Sequence, residues 1–165
     1  MIVVLCGLPG VGKTTLADEI SALMDAIVLS TDKIRKELFK RPTYSRNERK
    51  LVYDVMLLFA KYLHDAGKIC ILDATFSRQR SRDQLKQVLG LKKEHLFIVQ
   101  CVCPEEIVIS RLTVRKDMYS DADVQVYKKM KKIFEPVLGE HITVDTSKQP
   151  KDNAIFIIDK IRKIS

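Results

Sequence analysis

The chain has 165 residues, 46% of them hydrophobic and 30% charged. That balance excludes a disordered chain and fits one domain with a core of its own. No apolar run nears the roughly 20 residues that span a bilayer, so no membrane partner is expected. The formal net charge of +8 suits a polyanionic partner: a nucleotide, a phosphorylated metabolite or nucleic acid.

The first apolar run, Ile2-Val3-Val4-Leu5-Cys6, reads as a buried strand. Met1 leads straight into it, without a basic region and a cleavage site, so a cytoplasmic location is expected. Gly7-Leu8-Pro9-Gly10-Val11-Gly12-Lys13-Thr14 follows at once, a complete G-x-x-x-x-G-K-[ST] phosphate loop. A helical pattern then opens at Thr14 and Thr15 and carries Leu16, Ala17, Ile20 and Leu23 at helical spacing over 14–24. Strand, glycine loop and helix are the context this motif needs. Inward-turned backbone N–H groups and the helix dipole favour a polyphosphate. Lys13 is placed to reach the β- and γ-phosphates of a nucleotide, and the Thr14 hydroxyl to ligate Mg²⁺.

A second apolar run over 26–30 ends in Ser30-Thr31-Asp32, and a helix begins there with Asp32-Lys33-Ile34-Arg35. Asp32 can cap that helix. At a sheet edge beside a phosphate loop it can also accept the proton of an acceptor hydroxyl. Arg35, one turn on, shares its face and suits an acidic or phosphorylated acceptor. The longest helix is predicted over 46–66, with Leu51, Val55, Leu58, Phe59 and Tyr62 on its apolar side, stopping at Gly67. Tyr44, Arg46 and Arg49 at its start are candidate acceptor contacts.

The third run, 68–73, ends in Leu72-Asp73-Ala74-Thr75. An acid after an apolar strand has the Walker-B form, with Asp73 holding Mg²⁺. Arg78, Arg80 and Arg82 follow, either as anion contacts or as a solvated start of the helix at 79–89. After the fourth run, 96–102, a helix over 104–117 starts at Pro104 and presents Arg111 and Arg115 on one face. With the polar stretch through Asp123 it reads as a lid, about 111–124, closing over the phosphates. A helix over 121–134 stops before Pro136, a fifth strand covers 141–145, and a last helix over 151–163 carries Ile155, Ile158 and Ile161 as a core stripe. Cys6, Cys70, Cys101 and Cys103 all fall inside predicted strands, the last two on one face. They read as free buried thiols, without zinc spacing or a disulfide framework.

Strands alternating with helices predict an α/β three-layer sandwich with a doubly wound, five-stranded parallel sheet. The expected strand order is 2-3-1-4-5, and residues 1–165 are expected to form one domain. Ligands then bind along the carboxyl edge of the sheet.

The chain resembles the small P-loop kinases grouped around the polynucleotide 5′-kinase domain and the zeta toxins. The resemblance rests on the phosphate loop 7–14, Ser30-Thr31-Asp32-Lys33-Ile34-Arg35, Leu72-Asp73-Ala74-Thr75-Phe76 with Arg80 downstream, and Cys103-Pro104-Glu105-Glu106. It extends through Arg111 and Arg115, Ser120-Asp121-Ala122, Phe134-Glu135-Pro136 and His141-Ile142-Thr143-Val144-Asp145-Thr146-Ser147. It implies ATP and Mg²⁺ as cofactors, Asp32 as general base, Arg35, Thr75 and Arg80 as substrate contacts, and Arg115 as the lid arginine. It also implies that Arg111 packs on the adenine and that the loop from Thr146 to Pro150, with Ser147, borders the base.

The expected activity is transfer of the γ-phosphate of ATP to a hydroxyl of a small molecule or nucleotide. Two other readings stay open: a 5′-hydroxyl polynucleotide kinase, and an ATPase or nucleotide-dependent switch. A GTPase is disfavoured because no Asn-Lys-x-Asp motif follows the fourth strand. Nucleic acid is a candidate partner, although no aromatic-rich strand face offers stacking for single-stranded bases. The oligomeric state is not legible.

Overall fold

The computed structural model describes residues 1–114 and 122–164. Among them, strands β1 (Ile2–Cys6), β2 (Ile27–Ser30), β3 (Cys70–Asp73), β4 (Leu96–Val102) and β5 (Ile142–Asp145) form one sheet in the order β2-β3-β1-β4-β5. Every pairing is parallel. Helices α1 (Lys13–Met24), α2 (Thr31–Leu38), α3 (Arg46–Asp65), α4 (Gln79–Leu89), α5 (Glu105–Val114), α6 (Val124–Ile133) and α7 (Pro150–Ile164) flank it. This is the expected sandwich and strand order.

Alternation along β1 builds both cores. Val3 and Leu5 pack with Leu16, Ala17, Ile20, Ala154, Ile157 and Ile161 on the α1–α7 face. Ile2, Val4 and Cys6 pack with Met56, Leu57, Ala60, Leu85 and Leu89 on the α3–α4 face. All five β1 residues are buried, which is why the strand reads as a continuous apolar run. Full burial of such side chains stabilises by about 1.5–3 kcal/mol each. β2 is an edge strand and is only partly covered.

The register positions the site. Asp73 pairs with Leu5 of β1 on one side and with Ser30 of β2 on the other. The three strands therefore end level, and the phosphate loop, Asp32 and Asp73 leave the same sheet edge together.

Two expected helix faces are corrected. On α3 the buried stripe is Val52, Met56, Leu57 and Ala60, whereas Leu51, Leu58, Phe59 and Tyr62 are exposed, Tyr62 by 68%. The helix carries two apolar arcs about 140° apart at 3.6 residues per turn, and the arc with Met56, Leu57 and Ala60 is the one packed on the sheet. On α7, Ile158 and Ile161 are buried beside Ala154 and Ile157, but Ile155 is exposed. Cys103 lies one residue past the end of β4 and so is not a strand residue. It is half-buried, and the four thiols are free.

Candidate active site

The phosphate loop is shaped by packing beneath it as well as by its open upper side. A Cβ on Gly7, at φ +153°, would sit 2.6 Å from the Cys101 carbonyl oxygen of β4. A Cβ on Gly10, at φ +76°, would sit 2.7 Å from Leu112 of α5. Only glycine fits either place. Gly12 precedes α1 in a left-handed conformation, and α1 has neither a side-chain cap nor an acid in its first turn. Its unpaired N–H groups are therefore open to an anion.

Lys13 is buried, and its Nζ donates to the carbonyls of Gly7 and Leu8, each at 3.0 Å. One ammonium proton remains for a phosphate. Pro9, Gly10, Gly12, Lys13, Thr14 and Thr15 line a cleft of about 1650 Å³. Gly7, Leu8 and Val11 lie on the loop's other side, toward β4. They contribute through backbone carbonyls: Val11 accepts from Arg111 Nη1 at 3.2 Å and from the Thr146 hydroxyl.

The Thr14 hydroxyl donates to Asp73 Oδ2 at 2.8 Å, and Asp73 is buried. The pair offers hard oxygen donors beside the phosphate loop. Among the described residues no group of three His, Cys, Asp or Glu side chains could cage a metal. A single carboxylate with a hydroxyl fits Mg²⁺, which keeps water and phosphate oxygens in its shell.

Asp32 stands in the first turn of α2, and its carboxylate is 42% exposed at the cleft. Arg35 Nη1 donates to Asp32 Oδ1 at 3.2 Å. The Arg35 guanidinium is itself buried, 4.7 Å from the Tyr44 ring centroid. Its Nε forms an ion pair with Glu48 Oε1 at 3.1 Å, without hydrogen-bond alignment. Glu48 Oε2 accepts from the Thr43 N–H at 2.6 Å and from the Thr43 hydroxyl at 2.7 Å. Burial alone raises the Glu48 carboxyl. The Thr43 bonds, the Tyr44 backbone and the Arg35 charge outweigh that and hold it below its ordinary value. Sequence reasoning missed Glu48, although Ser45-x-x-Glu48 has the capping-box spacing and Ser45 does cap α3.

Thr75 lines the cleft, and its carbonyl accepts from the Gly7 N–H at 3.2 Å, which ties the phosphate loop to the end of β3. Phe76 follows at φ +44°. Its N–H donates to the Tyr53 hydroxyl at 3.4 Å, and the two rings meet edge to face at 5.4 Å. Burial pushes the Tyr53 phenol up to about 12, so it stays neutral in this wall. Arg78 and Arg80 line the cleft and are exposed. Arg82 does not join them. It is fully buried and donates to the carbonyls of Phe76 (2.6 Å), Glu135 (3.0 Å) and Pro136 (2.6 Å) and to Gln79 Oε1 (3.0 Å). It therefore neither contacts an anion in the cleft nor starts a solvated helix. It clamps the segment after α6 to the loop after β3.

At the opposite end, Arg111 Nη2 donates to the Thr146 carbonyl at 2.8 Å, and Thr146, Lys148, Pro150 and Asn153 line the cleft. Ser147 is exposed, and its hydroxyl and N–H turn back onto Asp145 Oδ1 at 2.7 and 2.9 Å. Those two bonds lower the Asp145 carboxyl. Arg115 and the expected lid residues through Asp121 lie outside the described residues.

Residues 2–137 match the family AAA_33, described as an AAA domain. A probable adenylyl-sulfate kinase of Pyrococcus abyssi is 25% identical over 97% of this chain and 94% of its own length. An uncharacterized protein of Mycobacterium tuberculosis is 27% identical over 132 residues, and the chain spans about a quarter of that relative's length, 26%. Among solved structures, the APS kinase CysC of M. tuberculosis in complex with AMPPNP and APS superposes with a TM-score of 0.75 at 18% identity, over 98% of this chain and 96% of that one. A sugar kinase of Janibacter gives 0.74 at 17% identity, over 99% and 95%. These likenesses agree with the sheet order and the loop. The chain belongs to the AAA_33 family and has the α/β fold of the small P-loop kinases.

Proposed function

We propose that this chain is an ATP-dependent phosphotransferase that moves the γ-phosphate of ATP to a hydroxyl of a small molecule. One observation carries the reading: the phosphate loop, the Thr14–Asp73 pair and the Asp32–Arg35 pair line one cleft. The cleft also exceeds the roughly 300–1,000 Å³ of a single-ligand pocket and so has room for two substrates. The relatives named as adenylyl-sulfate, APS and sugar kinases support a small hydroxyl compound as acceptor.

The sheet order divides the labour. The loops after β4 and β5, with Arg111 and Thr146, take the base end of ATP. The loops after β2 and β3, with Asp32, Thr75 and Arg80, take the acceptor. The phosphate loop and Lys13 hold the phosphates between them. Asp32 accepts the acceptor's hydroxyl proton as that oxygen bonds to the γ-phosphorus and the bond to the ADP oxygen breaks. Arg35, fixed by Glu48 and Tyr44, orients the Asp32 carboxylate. Thr14 and Asp73 would hold Mg²⁺, which would neutralise charge on the phosphate oxygens. Arg115 is proposed to stabilise the transferring phosphoryl group.

The test is transfer from γ-labelled ATP with Mg²⁺ across nucleosides, nucleotides, sugars, small alcohols and 5′-hydroxyl oligonucleotides. A labelled product that Asp32→Asn abolishes supports the kinase and names the acceptor class. Label found only as inorganic phosphate, equally in both proteins, replaces it with an ATPase or switch. Product with oligonucleotides alone makes the chain a polynucleotide kinase.

A further inference from the structure

The acceptor side of the cleft carries more positive charge than its acids match. There Arg35 is matched by Asp32 and Glu48, and Lys50 by Asp54. Arg46, Arg49, Arg78 and Arg80 line the same space. No acid pairs with these four among the described residues. Arg49 Nε donates to the Tyr44 carbonyl at 2.8 Å, which anchors a side chain that lines the cleft.

Their positions work against local helix stability. Arg46 is the first residue of α3, Arg78 precedes α4 as its N-cap, and Arg80 is the second residue of α4. A cation at a helix N-terminus opposes the dipole. Four guanidinium groups gathered at the starts of two helices repel one another as well. An anion seated between them reverses both effects; the Gln79 N–H of α4 already donates to Glu135 Oε2 and the Glu48 N–H of α3 to Ser45 Oγ, so the guanidinium groups supply the seat. Guanidinium groups from two sides suit a tetrahedral oxyanion, whose three terminal oxygens accept more bonds than one fork can supply.

Resting on the kinase reading, we infer that the acceptor bears a phosphate or sulfate ester in addition to the hydroxyl that is phosphorylated. The ester sits between Arg46 and Arg49 of α3 and Arg78 and Arg80 at the start of α4. Arg35 does not form this seat, because it is buried and already paired with two acids.

The experiment uses acceptor pairs: ribose and ribose 5-phosphate, glycerol and glycerol 3-phosphate, uridine and uridine 5′-monophosphate. The ratio of kcat/KM for the ester over its neutral partner is measured in the native protein, in Arg46→Gln and in the double variant Arg78→Gln/Arg80→Gln. The expected native ratio exceeds about 10, and each variant lowers it by about 10- to 100-fold, as for lost charge-assisted hydrogen bonds. Neutral members used as well as their esters overturn the seat and leave the kinase standing. So does an equal fall for both members of a pair.

The same compounds are titrated calorimetrically into protein loaded with a non-hydrolysable ATP analogue. If no compound is phosphorylated but an ester binds and the variants lose it, the anion seat stands and the kinase reading falls. If no ester binds, the seat falls.

Discussion

The Thr14 hydroxyl donates to the Asp73 carboxylate across 2.8 Å, joining the first turn of α1 to the last residue of β3. The two residues are 59 positions apart in the chain, and the parallel pairing of β1 with β3 brings them together. As the proposed metal-holding pair, they set the response to Mg²⁺. Asp73→Ala is expected to raise the Mg²⁺ concentration for half-maximal transfer by about 10- to 100-fold. A Mg²⁺ titration at saturating ATP reads this directly, and an unchanged midpoint removes Asp73 from the metal.

Asp32 projects from the start of α2, partly exposed and held by Arg35. If it is the general base proposed above, Asp32→Asn is expected to slow transfer by on the order of 10²–10⁴-fold while ATP still binds. Single-turnover transfer and ATP affinity are measured on the same protein. Near-native transfer would reduce Asp32 to a helix N-terminal acid.

Glu48 has a carboxyl below its ordinary value of 4.5 in the folded protein. Its contribution to stability is therefore fully present above pH 4.5 and is lost as the pH falls through the folded value. Glu48→Gln leaves the buried Arg35 with Asp32 as its acid partner among the described residues. The variant is expected to have a lower Tm at pH 7, and the gap to the native protein should close as both are acidified below pH 4.5. Melting curves between pH 7 and pH 3 measure it; a gap that stays constant shows that the Glu48 charge contributes nothing.

Arg82 is a fully buried cation whose hydrogen bonds end on three carbonyls and one amide oxygen. Arg82→Met removes them and leaves those acceptors short of partners. The expected loss is on the order of 3 kcal/mol in urea unfolding. Arg82→Lys is not expected to restore it, because an ammonium cannot span acceptors on two segments as a fork does. A loss under about 0.5 kcal/mol would mean that the segment after α6 holds without the clamp.

Burial pushes the Cys6 thiol up to about 11 and the Cys101 thiol to about 12. Neither forms appreciable thiolate at pH 8. Alkylation of the folded protein at that pH is expected to modify the half-buried Cys103 first and to spare Cys6, Cys70 and Cys101 until unfolding. Peptide mass mapping over time distinguishes this from uniform labelling.

Much of the fold was legible because its signals are local. The phosphate loop is contiguous, the strands are continuous apolar runs, and an acid ends one of them, Asp73, or lies two residues past another, Asp32. Strand ends at the sheet edge then placed Asp32 and Asp73 near the loop by topology alone. Arg35 beside Asp32 followed from helical spacing, one turn apart.

The rest depended on contacts between distant segments. Arg78, Arg80 and Arg82 look alike in the sequence, but only the packing of the α6–β5 connection over α4 turns Arg82 inward while the other two face the cleft. Glu48 passed unread in the sequence, and only where α2 and α3 meet does it become the counter-ion of Arg35. On α3 two apolar arcs compete, and periodicity cannot choose between them. The sequence by itself determined the elements, the loop and the acids at the strand ends, since these follow from near-neighbour patterns. The tertiary structure alone decided which charges are paired, which face is buried and which arginines stay open to an anion, since burial and charge pairing depend on what packs against each side chain.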